Sequence, residues 1–305
     1  KKLTTRTIES FRREQKETIS FSCELFGVDR QVYYRHLKRR AKRQQNAQQV
    51  VDWVAELRMI HPKMGGKKLY FLLKEKLENL RIGRDKFFDF LRANHLLIIP
   101  KRSYHKTTNS YHRFKKHKNL IKDYQYKKPN NVWVSDITYL GNRENPAYLS
   151  LITDAYSKKI VGFDVSDSLA TESCLNALKM ALKKENPKSL IHHSDRGLQY
   201  CSDDYQKLLK KHKIRCSMTQ ESDPYENAIA ERINGILKQE YDIDKFNVDL
   251  NTRKILVKQT VEIYNELRPH LSNYYLTPMQ MHQQQDLIPK SYKKKNSTNT
   301  NICTV

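Results

Sequence analysis

The sequence predicts an α/β domain with a mixed sheet, preceded by small all-α modules, and three observations predict it. Before Asn131 the apolar residues recur at helical spacing, whereas from Asn131 onward they form short runs rich in β-branched and aromatic residues. In that second half strands come first and then alternate with helices, which is the order of a sheet covered by helices. Charge divides at the same place: residues 1–130 carry 33 Lys+Arg against 12 Asp+Glu, and residues 131–305 carry 24 against 21. With 305 residues, the chain is long enough for more than one domain.

Residues 18–40 read as a helix-turn-helix within a first module, 1–45. Ile19, Phe21, Leu25 and Phe26 mark one apolar face, Gly27 supplies the turn, and Asp29 caps the next helix. That helix, 30–40, offers Arg30, Gln31, Tyr34, Arg35 and Lys38, side chains suited to base edges and phosphates, and these are the candidate DNA contacts of the module. A second helical DNA-binding module, 46–100, is expected to hold helices at 50–60, 67–77 and 84–94, broken by Pro62 and Gly65-Gly66, with Leu69, Leu72, Leu73, Leu77, Phe87, Phe88 and Leu91 as its core. Residues 101–130 read as a basic linker: its stretch 101–128 has ten Lys+Arg and one Asp, interleaved with Tyr104, Tyr111, Phe114, Tyr124 and Tyr126.

The domain 131–285 predicts strands at 132–140, 147–153 and 159–165, a helix at 170–184, a strand at 189–194, a helix at 202–212, a strand at 213–218 and a helix at 224–241, with further C-terminal helices. The Lys- and Asn/Thr-rich end, 286–305, has no core-forming pattern and is expected to be disordered.

The basic half points to a polyanion, because neutralising phosphates with Lys and Arg supplies most non-specific affinity for nucleic acid. Mean hydropathy is −0.81, and no apolar run of about 18 residues marks a membrane span. The five cysteines form no CxxC pair and have no zinc-ligand spacing with the eleven histidines, so a reducing, cytoplasmic setting is expected. His105, His112 and His117 sit in the Lys-rich stretch and read as part of a solvated linker. Lys1 rather than methionine stands first, so a processed, tagged or internal piece of a longer polypeptide is expected.

Three acidic residues carry the chemistry. Asp136 interrupts the apolar run 132–137, Asp195 follows the run 190–194, and Glu231 lies in the helix that follows Pro224. On that helix Asn227, Glu231 and Lys238 share a face, since four residues advance the angle by about 40° and seven return it to within about 20°. Any one of these is unremarkable alone, because an aspartate at a strand end is usually a turn former and a helix glutamate is usually solvated. Together they match what phosphodiester chemistry requires: carboxylates on separate elements holding two divalent cations roughly 4 Å apart. Mg²⁺, with Mn²⁺ as substitute, suits an all-oxygen donor set that needs no cysteine or histidine cage.

The residues Val132 to Leu140, His193-Ser194-Asp195-Arg196-Gly197 with Gln199-Tyr200, Asn227-Ala228 to Glu231 with Lys238, and Tyr264-Asn265, Arg268-Pro269-His270 and Thr277-Pro278 resemble the catalytic subunit of bacterial insertion-sequence transposases of the insertion-sequence-three type. The resemblance runs from about Ser22 to about His282. It implies a ribonuclease-H-like core shared with retroviral integrases, in which Asp136, Asp195 and Glu231 are the metal-binding catalytic triad and Lys238 contacts a transposon-end phosphate. Asn227, Arg232 and His193 complete the DNA contacts expected near the triad. The implied partners are duplex DNA, both transposon ends and target, and further copies of the chain in a homodimer or larger synaptic complex in the bacterial nucleoid. The family also often needs an upstream segment added by ribosomal frameshifting. Two departures are Glu226, where the family often has aspartate, and Asp223-Pro224 in the preceding loop. Two other readings use the same residues: a non-catalytic DNA-binding regulator of transposase descent, and a hydrolytic ribonuclease-H-like nuclease that does not join strands.

Overall fold

The computed structural model describes residues 2–99, 115–142, 144–220 and 227–290. The expectations resting on Tyr104, His105, Tyr111, His112, Phe114, Asp223, Pro224, Glu226 and the stretch 291–305 lie outside the described residues. The chain divides into two compact units, one comprising Lys1–Met59 and Gly65–Ile98, the other Ile60–Met64 and Ile99–Val305.

The first unit is helical: α1 (Lys2–Gln15), α2 (Ile19–Leu25), α3 (Arg30–Ile60), α4 (Gly66–Leu72), α5 (Lys74–Asn79) and α6 (Arg84–Ala93). Two helices meet at a turn where the sequence places them, although the second, expected at 30–40, runs on to Ile60. Thr18 caps α2 by accepting from the Phe21 amide at 3.3 Å, Gly27 makes the turn at φ +60°, and Asp29 caps α3 through the Gln31 amide at 2.6 Å. Its core is Ile8, Cys23 and Tyr33, with Ile19, Phe26, Val28 and Leu37 against them. Phe21 and Leu25, expected to point inward, are instead 48% and 56% exposed, because α1 supplies Ile8 to the other side of α2.

The boundary drawn at 45/46 does not separate two helices, for α3 runs through it as one element of 31 residues. The stretch Ala41–Gln49 consists of Ala, Lys, Arg and Gln with a single Asn and contains neither Gly nor Pro, so it holds no helix breaker. Beyond it, Leu69, Leu73, Leu77, Ile82, Phe87 and Leu91 are buried as a core should be, while Leu72 faces outward.

The second unit contains β1 (Val132–Gly141), β2 (Pro146–Asp154), β3 (Ile160–Ser166), α7 (Thr171–Glu185), β4 (Ile191–Ser194), α8 (Leu198–Cys201), α9 (Asp203–Lys211), β5 (Arg215–Met218), α10 (Ala228–Glu240), α11 (Leu250–Leu267) and α12 (Pro278–His282). The sheet order is β3-β2-β1-β4-β5, with β1 antiparallel to β2, β2 antiparallel to β3, and β4 parallel to both β1 and β5. This meander followed by two parallel crossovers is the ribonuclease-H-like arrangement that the resemblance implies, with the mixed sheet that the sequence predicts.

Helices cover both faces. On one, Trp133, Ile152 and Val161 pack with Cys174, Ala177, Leu178 and Ala181 of α7 and with Tyr205 and Leu209 of α9. On the other, Leu140, Leu149, Leu151 and Val165 pack with Ile233, Ile236 and Leu237 of α10 and with Val257, Val261 and Tyr264 of α11. Each fully buried leucine here, such as Leu178 or Leu237, contributes about 1.5–3 kcal/mol of transfer free energy. Gly162 lets α7 approach β3 closely: a Cβ there would lie 2.2 Å from the Ala177 carbonyl oxygen.

Two segments differ from expectation. The described half of the basic linker is packed on the core: Ile121 is buried with Val132, Val134 and Ile191, Tyr124 and Tyr126 lie against that cluster, and the Leu120 amide donates to Ser217 Oγ on edge strand β5 at 2.9 Å. One apolar residue and two tyrosines give this stretch a reason to dock that its charge concealed, and docking covers a sheet edge. Residues 286–290, read as part of a disordered tail, are likewise tied down, with Tyr156 Oη donating to the Leu287 carbonyl at 2.7 Å and the Lys290 amide to Ser272 at 2.9 Å.

Candidate active site

Strand register brings the two aspartates together. In the parallel pair β1 and β4, Val132, Trp133 and Val134 lie opposite Ile191, His192 and His193. Continued two residues further, the same register sets Asp195, one position past the end of β4, opposite Asp136. Side chains alternate faces along a strand, so Asp136 points the same way as Val132 and Val134, and Asp195 the same way as Ile191. Val132, Val134 and Ile191 pack with Ala230, so this is the face that α10 covers. Asp195 is held by its own turn, its Oδ1 accepting from the Gly197 amide at 3.0 Å.

Helix α10 delivers the third carboxylate. Asn227 Nδ2 donates to the Ser135 carbonyl at 3.1 Å, Asn234 Nδ2 to Asp136 Oδ2 at 2.8 Å, and Lys238 Nζ to the Tyr139 carbonyl at 2.9 Å. The helix therefore runs along β1 in the strand's own direction, with Glu231 between its first two tethers and its side chain exposed.

The three carboxylates repel one another. Burial first, and then the charge of Asp195, push the Asp136 pKa up to about 7; the Asn234 hydrogen bond opposes this and Glu231 adds to it. Burial and then Asp195 raise Glu231 as well. Lys238 is shifted down by burial, with Asp244 and Asp136 opposing. Among the described residues no three His, Cys, Asp or Glu side chains are gathered tightly enough to hold an ion as they stand. The set nonetheless fits a hard divalent cation: the donors are all oxygen, the charge of Asp195 raises the pKa of both Asp136 and Glu231, and the Glu231 side chain is exposed.

Support comes from the far face of β1. Ser135 Oγ and Tyr205 Oη meet Nε2 of the buried His192 at 2.7 and 2.9 Å. Burial, then His193, bring the His192 pKa down to about 3, so the ring is neutral and holds β1, β4 and α9 together through hydroxyl partners.

Two expected DNA contacts are corrected. His193 is fully buried with Nδ1 2.8 Å from Ser217 Oγ, because its strand position faces the covered side of the sheet. Asn227 is 6% exposed and its amide is engaged by Ser135, so it joins helix to strand. Arg232 is exposed beside Glu231, and Lys238 lies on the carboxylate face as read from helical spacing. In the helical unit, Arg30, Gln31, Tyr34, Arg35 and Lys38 are all exposed and share one face of α3, opposite the buried Tyr33. The residue that the sequence reading missed is Asn234. Its signal was present, since it follows Asn227 by seven positions and so returns to the same face.

An integrase core domain family matches this chain over residues 126–224, and a second integrase core domain family over residues 212–278. The insertion element IS600 uncharacterized 31 kDa protein of Shigella sonnei is 31% identical over 256 residues, 81% of this chain and 92% of that protein. Transposase InsF for insertion sequence IS3A of Escherichia coli (strain K12) is 35% identical over 153 residues, 50% of this chain, so that the chain spans about half (53%) of that relative's length. Among solved structures, the HTLV-2 integrase catalytic core domain in complex with magnesium (trimeric form) aligns with a TM-score of 0.42 and 20% identity, covering 51% of this chain and 97% of that one. No helix among the described residues is long and apolar enough to cross a membrane.

Proposed function

From the premise that this chain belongs to the insertion-sequence-three transposase family and carries its integrase core, we propose that it cuts the ends of a DNA element and joins them to a second DNA. The observation that carries the reading is the convergence of Asp136, Asp195 and Glu231, from two adjacent parallel strands and one helix, close enough for the charge of Asp195 to raise the pKa of both Asp136 and Glu231.

Asp136, Asp195 and Glu231 would hold the divalent ions, two Mg²⁺ or Mn²⁺. When bound, such ions activate the attacking oxygen and stabilise the leaving oxygen of a phosphodiester. In the first step a water oxygen bonds to phosphorus at the element end, and the 3′ oxygen leaves and takes up a proton. In the second, that 3′ hydroxyl attacks a phosphodiester of the target, its proton passes to solvent, and the displaced 3′ oxygen departs. Asn234 and Asn227 hold the helix on the strand while this happens. Lys238, whose ammonium donates one N–H hydrogen bond to the Tyr139 carbonyl, has further N–H donors to offer a phosphate, and Arg232 is exposed next to the triad. The exposed face of α3, with Arg30, Gln31, Tyr34, Arg35 and Lys38, holds duplex DNA, and two or more copies act together on paired ends.

The test is a labelled duplex carrying the DNA end adjacent to this gene, incubated with Mg²⁺ or Mn²⁺ and either the wild-type chain or Glu231→Gln. Cleaved and joined strands from the wild type alone, with equal binding by both, are expected. Binding without products from either protein favours a DNA-binding regulator, and cleavage without joining favours a nuclease. Equal cleavage by both proteins removes Glu231 from the chemistry.

A further inference from the structure

Two asparagines, Asn227 at the N-cap of α10 and Asn234 two turns further along the helix, both point at β1, and they reach consecutive residues of it. Asn227 Nδ2 donates to the main-chain carbonyl of Ser135 at 3.1 Å, and Asn234 Nδ2 donates to the carboxylate of Asp136 at 2.8 Å. Both side chains are buried, at 6% and 5% exposure, which is unusual for amides and costs free energy unless their polar atoms are used. Glu231 lies four residues after the first and three before the second, so it rides between two fixed points. Helix packing elsewhere on α10 is apolar, through Ile233, Ile236 and Leu237. Apolar contacts are non-directional and tolerate a slide or a small roll of the helix; hydrogen bonds of about 3 Å do not.

We infer that Asn227 and Asn234 are positioning residues that set the height and roll of Glu231 over the Asp136–Asp195 pair, and that Asn234 also fixes the orientation of the Asp136 carboxylate. The inference rests on the proposed metal-dependent reading of the same site. Asn234 donates to Oδ2 of Asp136 and the Ile137 amide donates to the same carboxylate, so the orientation of Asp136 is held from both the helix and its own strand. A rotated Asp136 would exchange the two oxygens and turn the carboxylate away from the register that pairs it with Asp195. Partners of this kind, one bond removed from the ion, alter metal affinity or activity by about 10–100-fold when removed. Asn227 has no carboxylate to orient, so its contribution lies in placing the helix alone.

The two roles separate by substitution. Asn234→Asp keeps the shape and removes the donor toward Asp136, and Asn227→Asp does the same toward Ser135. The readouts are Mn²⁺ binding to the full chain, followed by the loss of the free-ion electron paramagnetic resonance signal, together with the melting temperature and end cleavage. Wild type is expected to bind Mn²⁺, and Glu231→Gln to weaken it. Asn234→Asp is expected to weaken Mn²⁺ binding by about 10–100-fold. Asn234→His, which restores a ring N–H donor, should recover more of the affinity than Asn234→Ala. Asn227→Asp should lower cleavage more than it lowers Mn²⁺ binding. If Asn234→Asp and Asn234→Ala bind Mn²⁺ as the wild type does while Glu231→Gln does not, the asparagines are packing residues and the inference is wrong. If the wild type itself binds no Mn²⁺, the metal reading of the site fails, and this inference with it.

Discussion

Breaking the ion pair between Arg268 and Glu240 should unfold the catalytic unit more effectively than removing any surface charge. Arg268 Nε and a terminal nitrogen donate to the two Glu240 oxygens, both at 2.8 Å, and the guanidinium lies 5.6 Å from the centre of the Tyr264 ring. The side chains are 1% and 16% exposed. An exposed pair contributes roughly 0–1 kcal/mol, whereas removing one partner of a buried pair leaves a dehydrated charge uncompensated and costs about 3–5 kcal/mol. Glu240→Gln keeps the volume and one acceptor but turns an amide N–H toward the guanidinium, so it belongs in the second class. For a unit of this size about 1 kcal/mol corresponds to about 2–4 °C, giving a fall in melting temperature of about 6–20 °C. Calorimetry on the full chain measures it. The double variant Glu240→Leu/Arg268→Met, which replaces the pair by apolar groups of similar size, should recover most of the loss, since buried pairs contribute little net stability. A cost below about 1 kcal/mol for Glu240→Gln would refute the reasoning, because the pair would then behave as a surface pair despite its burial.

Other consequences follow from packing, protonation and charge. Gly162→Ala places a Cβ 2.2 Å from the Ala177 carbonyl oxygen and should cost about 1–3 kcal/mol, whereas Gly235→Ala on α10, with no atom within 4 Å, should stabilise by about 0.5–1 kcal/mol; chemical denaturation of the two variants should show opposite signs. His282 meets Glu185 at 2.9 Å and Ser157 at 2.9 Å. Burial lowers the His282 pKa, but hydrogen bonds to Asp154 and Glu185 outweigh it and hold the pKa above 6.5, while Glu185, which burial alone would raise, is brought down to about 2 by His282 and Lys159. Because the folded pKa of His282 is raised, its contribution is full below 6.5 and is lost as pH climbs through the folded value; that of Glu185 is full above 4.5 and is lost as pH falls toward 2. The melting-temperature gap between wild type and His282→Asn should therefore be widest between pH 4.5 and 6.5 and close toward pH 9, and a gap that widens on the alkaline side would contradict the assignment. On the exposed face of α3, Arg35→Ala should leave the melting curve unchanged and reduce the slope of log affinity for duplex DNA against log salt by about 0.9.

Much of the catalytic unit was legible because its strands are short apolar runs between polar turns. The expected strand at 132–140 and the helix at 170–184 differ from β1 and α7 by a residue at their ends. The acidic positions were legible as types in a pattern, since a carboxylate inside a β-branched run is costly without a purpose. What brings them together was not. The register that sets Asp195 opposite Asp136 arises from parallel pairing between residues some 59 apart, and nothing local specifies it. The same blindness explains His193: two neighbouring histidines on a strand point to opposite faces, and only the placement of α9 against His192 and of β5 beside His193 shows that both are covered. The continuity of α3 through residue 45 was missed for the converse reason. A polar stretch was read as a boundary, although helix propensity needs no apolar stripe where a helix bridges solvent. Charge hid the docking of residues 115–130 in the same way, because six lysines outweigh Ile121 in composition but not in packing.

The most direct test of the central claim compares joined-strand yield from Asp136→Asn, Asp195→Asn, Glu231→Gln and the triple variant, on the same labelled end and target with Mg²⁺. Residues that act as one unit are non-additive, so each single substitution should reduce joining about as far as all three together while duplex binding persists. Joining at the wild-type level by any one of the single variants would contradict the account.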